Sequence, residues 1–334
     1  MLSDGPRILA VRLGAMGDVI QCLPAVASLK HGIPRSHVTW VIEPRWAPLL
    51  EGNPYVDRVI LLDRRSLAGL RAAWRDLRAR RYDIAVDFQG LLKSALVASA
   101  ARAERLFGFT RALVRERPAA WFYSVAVGSK AEHVVDRYLD LAAAAGASSL
   151  LRTFPLPAGH AEGSLPASPF VLASPMAGWA AKEWPMDFYS ELGRLLEAGG
   201  CTLVLNGRTR IDAPHTHAHV SGLPGLIDAT RRAVAVVGVD SGPLHLAAAL
   251  GKPGVAIFGP TDPARNGPRG GAIAVLRSPA AVTSYKRRGR QPRRHRGPEL
   301  ARPGAAMRDI SPQAVHEALR AALAKAGIPV GRPA

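Results

Sequence analysis

The sequence predicts two open α/β domains in tandem, each a parallel sheet covered by helices. Three observations carry this. The 334 residues amount to about two domains of the usual size. Short apolar runs alternate with helical stretches along most of the chain. The alternation stops once, between Phe154 and Pro169, where Pro155, Pro157, Gly159, Gly163 and Pro166 disfavour regular structure, and then restarts. The expected layout is a first domain over residues 1–155, a linker over 156–169, a second domain over 170–310, a basic loop over 283–306 and a final helix over 311–326. Ligands of such sheets bind at the carboxyl ends of strands, so a cleft between the two domains is the expected site.

The elements follow in order. Ile8 to Leu13 is an apolar run rich in branched residues; after it come the turn Gly14-Ala15-Met16-Gly17-Asp18 and a helical stretch to about His31. Val38 to Ile42, Val56 to Leu61 and Ile84 to Phe88 read as further strands, with helices at Ser66 to Arg80, Leu91 to Ala101 and Glu132 to Ala145. Beyond the linker, Phe170 to Ser174, Cys201 to Asn206, Ala233 to Gly238 and Val255 to Phe258 read as strands. Asp187 to Ala198, Leu226 to Arg232 and Gly242 to Leu250 read as helices. Ser311 to Ala326 closes the pattern, with Ser311 as cap and Pro312 in the first turn.

Composition narrows the function classes. Hydrophobic residues make up 48% and charged residues 21%, which excludes a largely disordered chain. Two cysteines, Cys22 and Cys201, are too few and too far apart for a disulfide framework or a four-ligand zinc site, and a reducing cytoplasm is expected. Arg12 and Asp18 interrupt the apolar stretch from Ile8 to Ala27, so neither export nor a membrane span is expected. The net charge of +18 draws the protein to polyanions: nucleic acid, acidic lipid surfaces or phosphorylated substrates. Seven of those positive charges, with no acid among them, fall in the eleven residues from Lys286 to Arg296. Aromatic residues do not interleave with them, which argues against stacking on single-stranded nucleic acid.

Four segments carry candidate chemistry. In Gly14 to Asp18, two glycines let a ligand approach the backbone and Asp18 offers a carboxylate at a helix N-terminus; the same Asp also serves as an ordinary helix cap. GxGxxG is absent from this turn. Asp240-Ser241-Gly242-Pro243-Leu244-His245 joins a strand end to a helix start, a natural place for a phosphate, with His245 equally suited to a hydrogen bond on the inner face of the helix. Pro175 to Pro185 is a loop with Gly178 and Lys182, a point charge for phosphate or a plain surface lysine. Asp87-Phe88-Gln89-Gly90-Leu91-Leu92-Lys93-Ser94 ends another strand, with Arg64, Arg65 and Arg115 as further positive charges; turn and cap duties explain these residues equally well.

Together with Phe258-Gly259-Pro260-Thr261-Asp262-Pro263 and the approach Arg12-Leu13 to the first turn, these segments, in this order, resemble the bacterial lipopolysaccharide heptosyltransferases, the ninth glycosyltransferase family. The resemblance runs from Ile8 to about Leu276 and takes in the last helix. Gln89 to Ser94 is most similar to the heptosyltransferase I branch. The resemblance implies a GT-B fold, two Rossmann-like domains facing each other across a cleft, and inverting transfer of L-glycero-D-manno-heptose from ADP-heptose to the Kdo of Kdo-lipid A. It implies Asp18 as general base, and Lys182, Gly178, Asp212, Asp240, Ser241, Gly242 and His245 around the donor. Gly17, Arg64, Arg65, Gln89, Lys93 and Arg115 are the matching candidates for the anionic acceptor. No metal and no cofactor is implied, nor an obligate nucleic-acid partner. The expected location is the cytoplasmic face of the inner membrane, with the basic run as a peripheral anchor. The chain departs from the family at Ile211, four positions after Gly207, where members carry an acid; here Asp212 stands beside it. Ala177 and Gly178 also replace hydroxyl residues of some members. A same-family transferase with another donor or acceptor, such as a heptosyltransferase II or surface-polysaccharide enzyme, and a non-catalytic polyanion-binding protein are the competing readings.

Overall fold

The computed structural model describes residues 5–279 and 305–328; the run from Lys286 to Arg296 and most of the 283–306 loop lie outside the described residues. The chain divides into two compact units, Met1–Pro157 and Ala158–Ala334.

In the first unit six strands form one sheet: β1 (Arg7–Val11), β2 (His37–Ile42), β3 (Arg58–Leu61), β4 (Ile84–Asp87), β5 (Arg105–Phe109) and β6 (Val125–Val127), in the order β3-β2-β1-β4-β5-β6. Every neighbouring pair is parallel. The helices are α1 (Met16–Gly32), α2 (Leu67–Arg78), α3 (Leu92–Ala100) and α4 (Val134–Ala144). The middle strands are buried on both faces and so read as continuous apolar runs. α1 is itself almost wholly buried, packed on α4. Its last residue, Gly32, has to be small, because a Cβ there would stand 2.7 Å from the Ser148 backbone nitrogen.

The second unit holds β7 (Phe170–Ser174), α5 (Met186–Glu197), β8 (Thr202–Gly207), β9 (Thr216–Val220), α6 (Leu223–Arg232), β10 (Ala235–Val239), α7 (Gly242–Ala249), β11 (Gly254–Phe258), α8 (Pro263–Asn266), β12 (Ile273–Arg277) and α9 (Pro312–Lys325). Its parallel sheet runs β12-β11-β10-β7-β8-β9. α9 belongs to this unit's core: Val315, Leu319 and Leu323 pack with Val171, Leu203, Val237 and Ile257, and the Trp184 indole donates to Ile310 O at 3.0 Å. Ser311 Oγ accepts from Ala314 N and caps the helix.

Counted from its own first strand, each sheet has the doubly wound order 3-2-1-4-5-6. The order reverses between β1 and β4 in unit 1 and between β7 and β10 in unit 2. At such a point the loops leaving the two strands diverge and open a crevice. The loops that leave these four strands are the ones carrying Asp18, Gln89, Lys182 and Asp240.

Four strands escaped the sequence reading: β5, β6, β9 and β12. Three of them lie at sheet edges and are only partly buried, so they lack the apolar run that marks a central strand. β9 is Thr-His-Ala-His-Val, polar at three of five positions. β5 lies inside the sheet but opens on Arg105 and contains Gly108, which allows the Tyr123 ring to approach the backbone.

Candidate active site

In unit 1 the site is built around an ion pair. β1 ends at Val11, and Arg12, the next residue, points inward with 2% of its side chain exposed. Its Nη1 donates to Phe88 O at 2.9 Å, its Nη2 stands 2.5 Å from Asp18 Oδ2, and its guanidinium lies over the Tyr138 ring at 5.6 Å. Burial opposes the Arg12 charge, but the Asp18 carboxylate overcomes it and holds the guanidinium above its ordinary pKa. Asp18 sits in the first turn of α1, about a third exposed, and also accepts from Ala15 N at 3.3 Å through Oδ2. Oδ1 has no partner among the described residues. One oxygen is therefore fixed and the other is left to meet a proton donor.

The loop after β4 is locked to the same place. Gln89 Oε1 accepts from Leu13 N at 2.9 Å, tying it to the β1–α1 turn. Asp87 is fully buried and accepts from Gln89 N, Gly90 N, Ser94 Oγ and Tyr123 OH. Burial pushes its carboxyl up against these four donors. Asp87 and Ser94 thus shape the loop and do not face a ligand. Asp87→Ala leaves the Gln89 N, Gly90 N and Tyr123 OH donors unmatched, Ser94 Oγ keeping Leu91 O as acceptor, and is expected to destabilise the unit by about 3 kcal/mol, read as a lower urea midpoint; an unchanged midpoint contradicts this role.

The positive charges differ in their freedom. Arg64 is held by Glu43, at the end of β2, through Nε at 3.0 Å and Nη2 at 2.5 Å, and Arg45 reaches the other Glu43 oxygen at 2.9 Å. Burial disfavours the Glu43 charge, yet Arg64 and Arg45 keep the carboxyl below its ordinary pKa. Partial burial, and then the Arg64 charge, lower the pKa of the Lys93 ammonium. Arg65 and Arg115 are exposed, and Gly17 lies buried in the first turn of α1. Sequence reading passed over Arg12 as a functional partner and Glu43 altogether. The available signal was a charged residue directly after an apolar strand in each case.

In unit 2, Lys182 Nζ contacts Asp240 Oδ2 at 2.6 Å and Asp240 O at 3.4 Å. His245, buried on the first turns of α7, places Nε2 3.8 Å from Asp240 Oδ1. Burial works against the Asp240 charge, but His245 and Lys182 hold the carboxyl well below the usual carboxylate range. Ser241 Oγ and Thr261 Oγ1, which follow β10 and β11, are buried with no hydrogen-bond partner among the described residues. Such hydroxyls are costly unless a ligand satisfies them. In the sequence Thr261 stood out only as a member of the segment Phe258 to Pro263. A Cβ on Gly178 would meet open space, and Gly242 begins α7. Asp212 is exposed and paired with Arg210 at 2.9 Å, while Ile211 beside it packs on the core of the unit. Lys182, Asp240, Ser241 and His245 are therefore gathered at the switch point, whereas Asp212 is engaged on the loop after β8.

Among the described residues no group of three or more His, Cys, Asp or Glu side chains is placed to hold a metal ion, and no helix is long and apolar enough to cross a membrane.

Known proteins share this fold. Residues 70–294 match the model of glycosyltransferase family 9 (heptosyltransferase). The chain is 32% identical over 295 residues to lipopolysaccharide heptosyltransferase 1 of Pseudomonas aeruginosa, covering 79% of this chain and 81% of that protein. It is 31% identical over 307 residues to lipopolysaccharide heptosyltransferase 1 of Escherichia coli K12, covering 82% and 94%. Among solved structures, E. coli heptosyltransferase WaaC with ADP superposes with a TM-score of 0.70 at 28% identity, over 82% of this chain and 94% of that one. E. coli ADP-heptose lps heptosyltransferase II matches in fold with a TM-score of 0.74, over 96% of this chain and 99% of that one. With two Rossmann-like units of the GT-B class and a family match across most of its length, this chain belongs to glycosyltransferase family 9, the heptosyltransferases.

Proposed function

We propose that the chain transfers L-glycero-D-manno-heptose from ADP-heptose to the Kdo of Kdo-lipid A, as a heptosyltransferase I, with inversion at the anomeric carbon. The observation that carries this reading is Asp18, held through Oδ2 by a buried arginine and leaving Oδ1 without a partner among the described residues. A base at that place takes the proton of the acceptor hydroxyl while its oxygen bonds to the anomeric carbon and the bond to the diphosphate breaks. Unit 2 takes the donor. Lys182 gives two contacts to Asp240, and its third N–H, the Ser241 and Thr261 hydroxyls and the start of α7 meet the diphosphate and stabilise ADP as it leaves. Unit 1 takes the acceptor, whose anionic groups are met by Arg64, Arg65, Lys93 and Arg115, with Gly17 and Gln89 lining the turn. The chemistry of this reading uses no metal and no cofactor. Its place of work is the cytoplasmic face of the inner membrane, reached peripherally.

Titration of the purified chain with ADP-heptose and UDP-sugars tests the donor. ADP-heptose is expected to bind tightest; preference for a UDP-sugar, or no nucleotide-sugar binding, contradicts the reading. One observation favours a second reading, a family member with another donor: Ile211 packs into the core where the family resemblance calls for an acid near the nucleoside. The same titration separates the two.

A further inference from the structure

Unit 1 carries apolar surface that its own core does not use. α2 has a narrow inner face, Ala73 and Leu77, and a serine cap in which Ser66 Oγ accepts from Gly69 N. Its outer face would ordinarily be polar. Instead Leu67, Leu70 and Trp74, at helical spacing along one stripe, are 73%, 40% and 55% exposed. α3 packs against α2 and turns Ser94, Ala95 and Ala98 inward, so that Leu92 and Leu96, four residues apart, face out. On its other side α3 meets the short 3-10 turn Arg117–Phe122, where Trp121 is 72% exposed. Three adjoining elements thus present two tryptophans and four leucines to the outside, more than a scatter of single surface residues.

Positive charge predominates around this surface. Arg71, Arg75, Arg111 and Arg117 are exposed and make no ion pair among the described residues, and the Arg78 guanidinium lies over the Trp74 ring at 5.4 Å. Of the nearby acids Asp76 is paired with Arg58 at 3.5 Å, while Asp63, accepting from Arg65 N and Ser66 Oγ, and Glu116, accepting from Leu92 N at 2.8 Å, are held in place by neutral donors and are outnumbered by the arginines. An apolar stripe with tryptophans, bordered by unpaired arginines, matches the boundary of an anionic bilayer: leucine enters the acyl region, the indoles sit at headgroup level and arginine meets the phosphates. Single-stranded nucleic acid would use the tryptophans and arginines but leave the four leucines without a stacking partner.

We propose that this α2–α3 face, with Trp121, is a docking surface for an anionic phospholipid membrane. The inference deepens the peripheral location proposed above and rests on it for its biological setting. It assigns that contact to a structured part of unit 1.

The test is co-sedimentation of the full chain with phosphatidylethanolamine vesicles, with and without phosphatidylglycerol, comparing wild type with a Leu70→Ser, Trp74→Ser, Trp121→Ser variant that keeps every basic residue. A Leu96→Ser variant checks the face with a milder change, and thermal melting checks folding. Wild type is expected to bind only the anionic vesicles, with a blue shift in tryptophan emission. The triple variant is expected to partition about tenfold more weakly or less, with heptose transfer to a water-soluble, deacylated acceptor retained. Equal binding by the variant, wild-type binding indifferent to phosphatidylglycerol, release by a single-stranded oligonucleotide, or a dimer that the substitutions dissolve each overturns the proposal. If vesicle binding separates the two proteins as stated while neither transfers heptose, the reading of function fails and the membrane surface stands.

Discussion

Asp18→Asn is expected to abolish transfer, lowering kcat by about 10²- to 10⁴-fold, the range a positioned general base supplies. Asparagine keeps the size of the side chain and its oxygen can still accept from Arg12 and Ala15 N, so the turn between β1 and α1 retains its shape. What is lost is the carboxylate proposed to receive the acceptor proton. Donor affinity should stay within about threefold, because the groups proposed to meet the diphosphate belong to unit 2. Leaving the Arg12 charge without its anion costs some stability, so the melting temperature is measured beside the rate. A variant that is folded and turns over at the wild-type rate shows that Asp18 is not the base.

The second large effect is expected at Lys182. Lys182→Ala should weaken ADP binding by about ten- to a hundredfold, the loss of a charge-assisted hydrogen bond to phosphate, and calorimetry reads it directly. The substitution also removes one of the two partners that keep Asp240 charged. A carboxyl held below its ordinary pKa contributes stability that is fully present above the unfolded value, about 3.9, and is lost as pH falls through the folded value. Wild-type unit 2 should therefore keep this contribution from neutral pH down to about pH 4. In Lys182→Ala the folded pKa rises toward the unfolded one, so the contribution is smaller at neutral pH and its loss on acidification is complete at a higher pH than in wild type. Unchanged ADP affinity together with an unchanged acid limb would show that Lys182 serves neither phosphate nor Asp240.

The central strands of both sheets were legible because burial on two faces forces a continuous apolar run, as in Ile8 to Val11 or Val255 to Phe258. Edge strands have no such requirement, and β9 with its two histidines gives no periodic signal at all. Loops at the switch points could be read from glycine, proline and capping residues at strand ends, which is why Asp18, Lys182, Asp240 and His245 were visible. Pairing across the sequence was not. Arg12 meets Phe88 across 76 positions, and Lys182 meets Asp240 across 58. Only the order of strands, which places β4 beside β1 and β10 beside β7, brings them together. The same holds for Glu43, whose task depends on β3 lying next to β2 so that Arg64 returns to it. Asp87 shows the opposite case: its motif left a ligand-facing role and a turn-shaping role equally open, and its four donors make it a structural anchor.

The central claim is tested most directly by incubating the purified chain with ADP-heptose and Kdo-lipid A and following the acceptor by mass spectrometry together with ADP release. The account predicts addition of one heptose to Kdo-lipid A, with one ADP released per product and none formed by Asp18→Asn. Unmodified Kdo-lipid A, or heptose added only when the acceptor already carries a heptose, would contradict it.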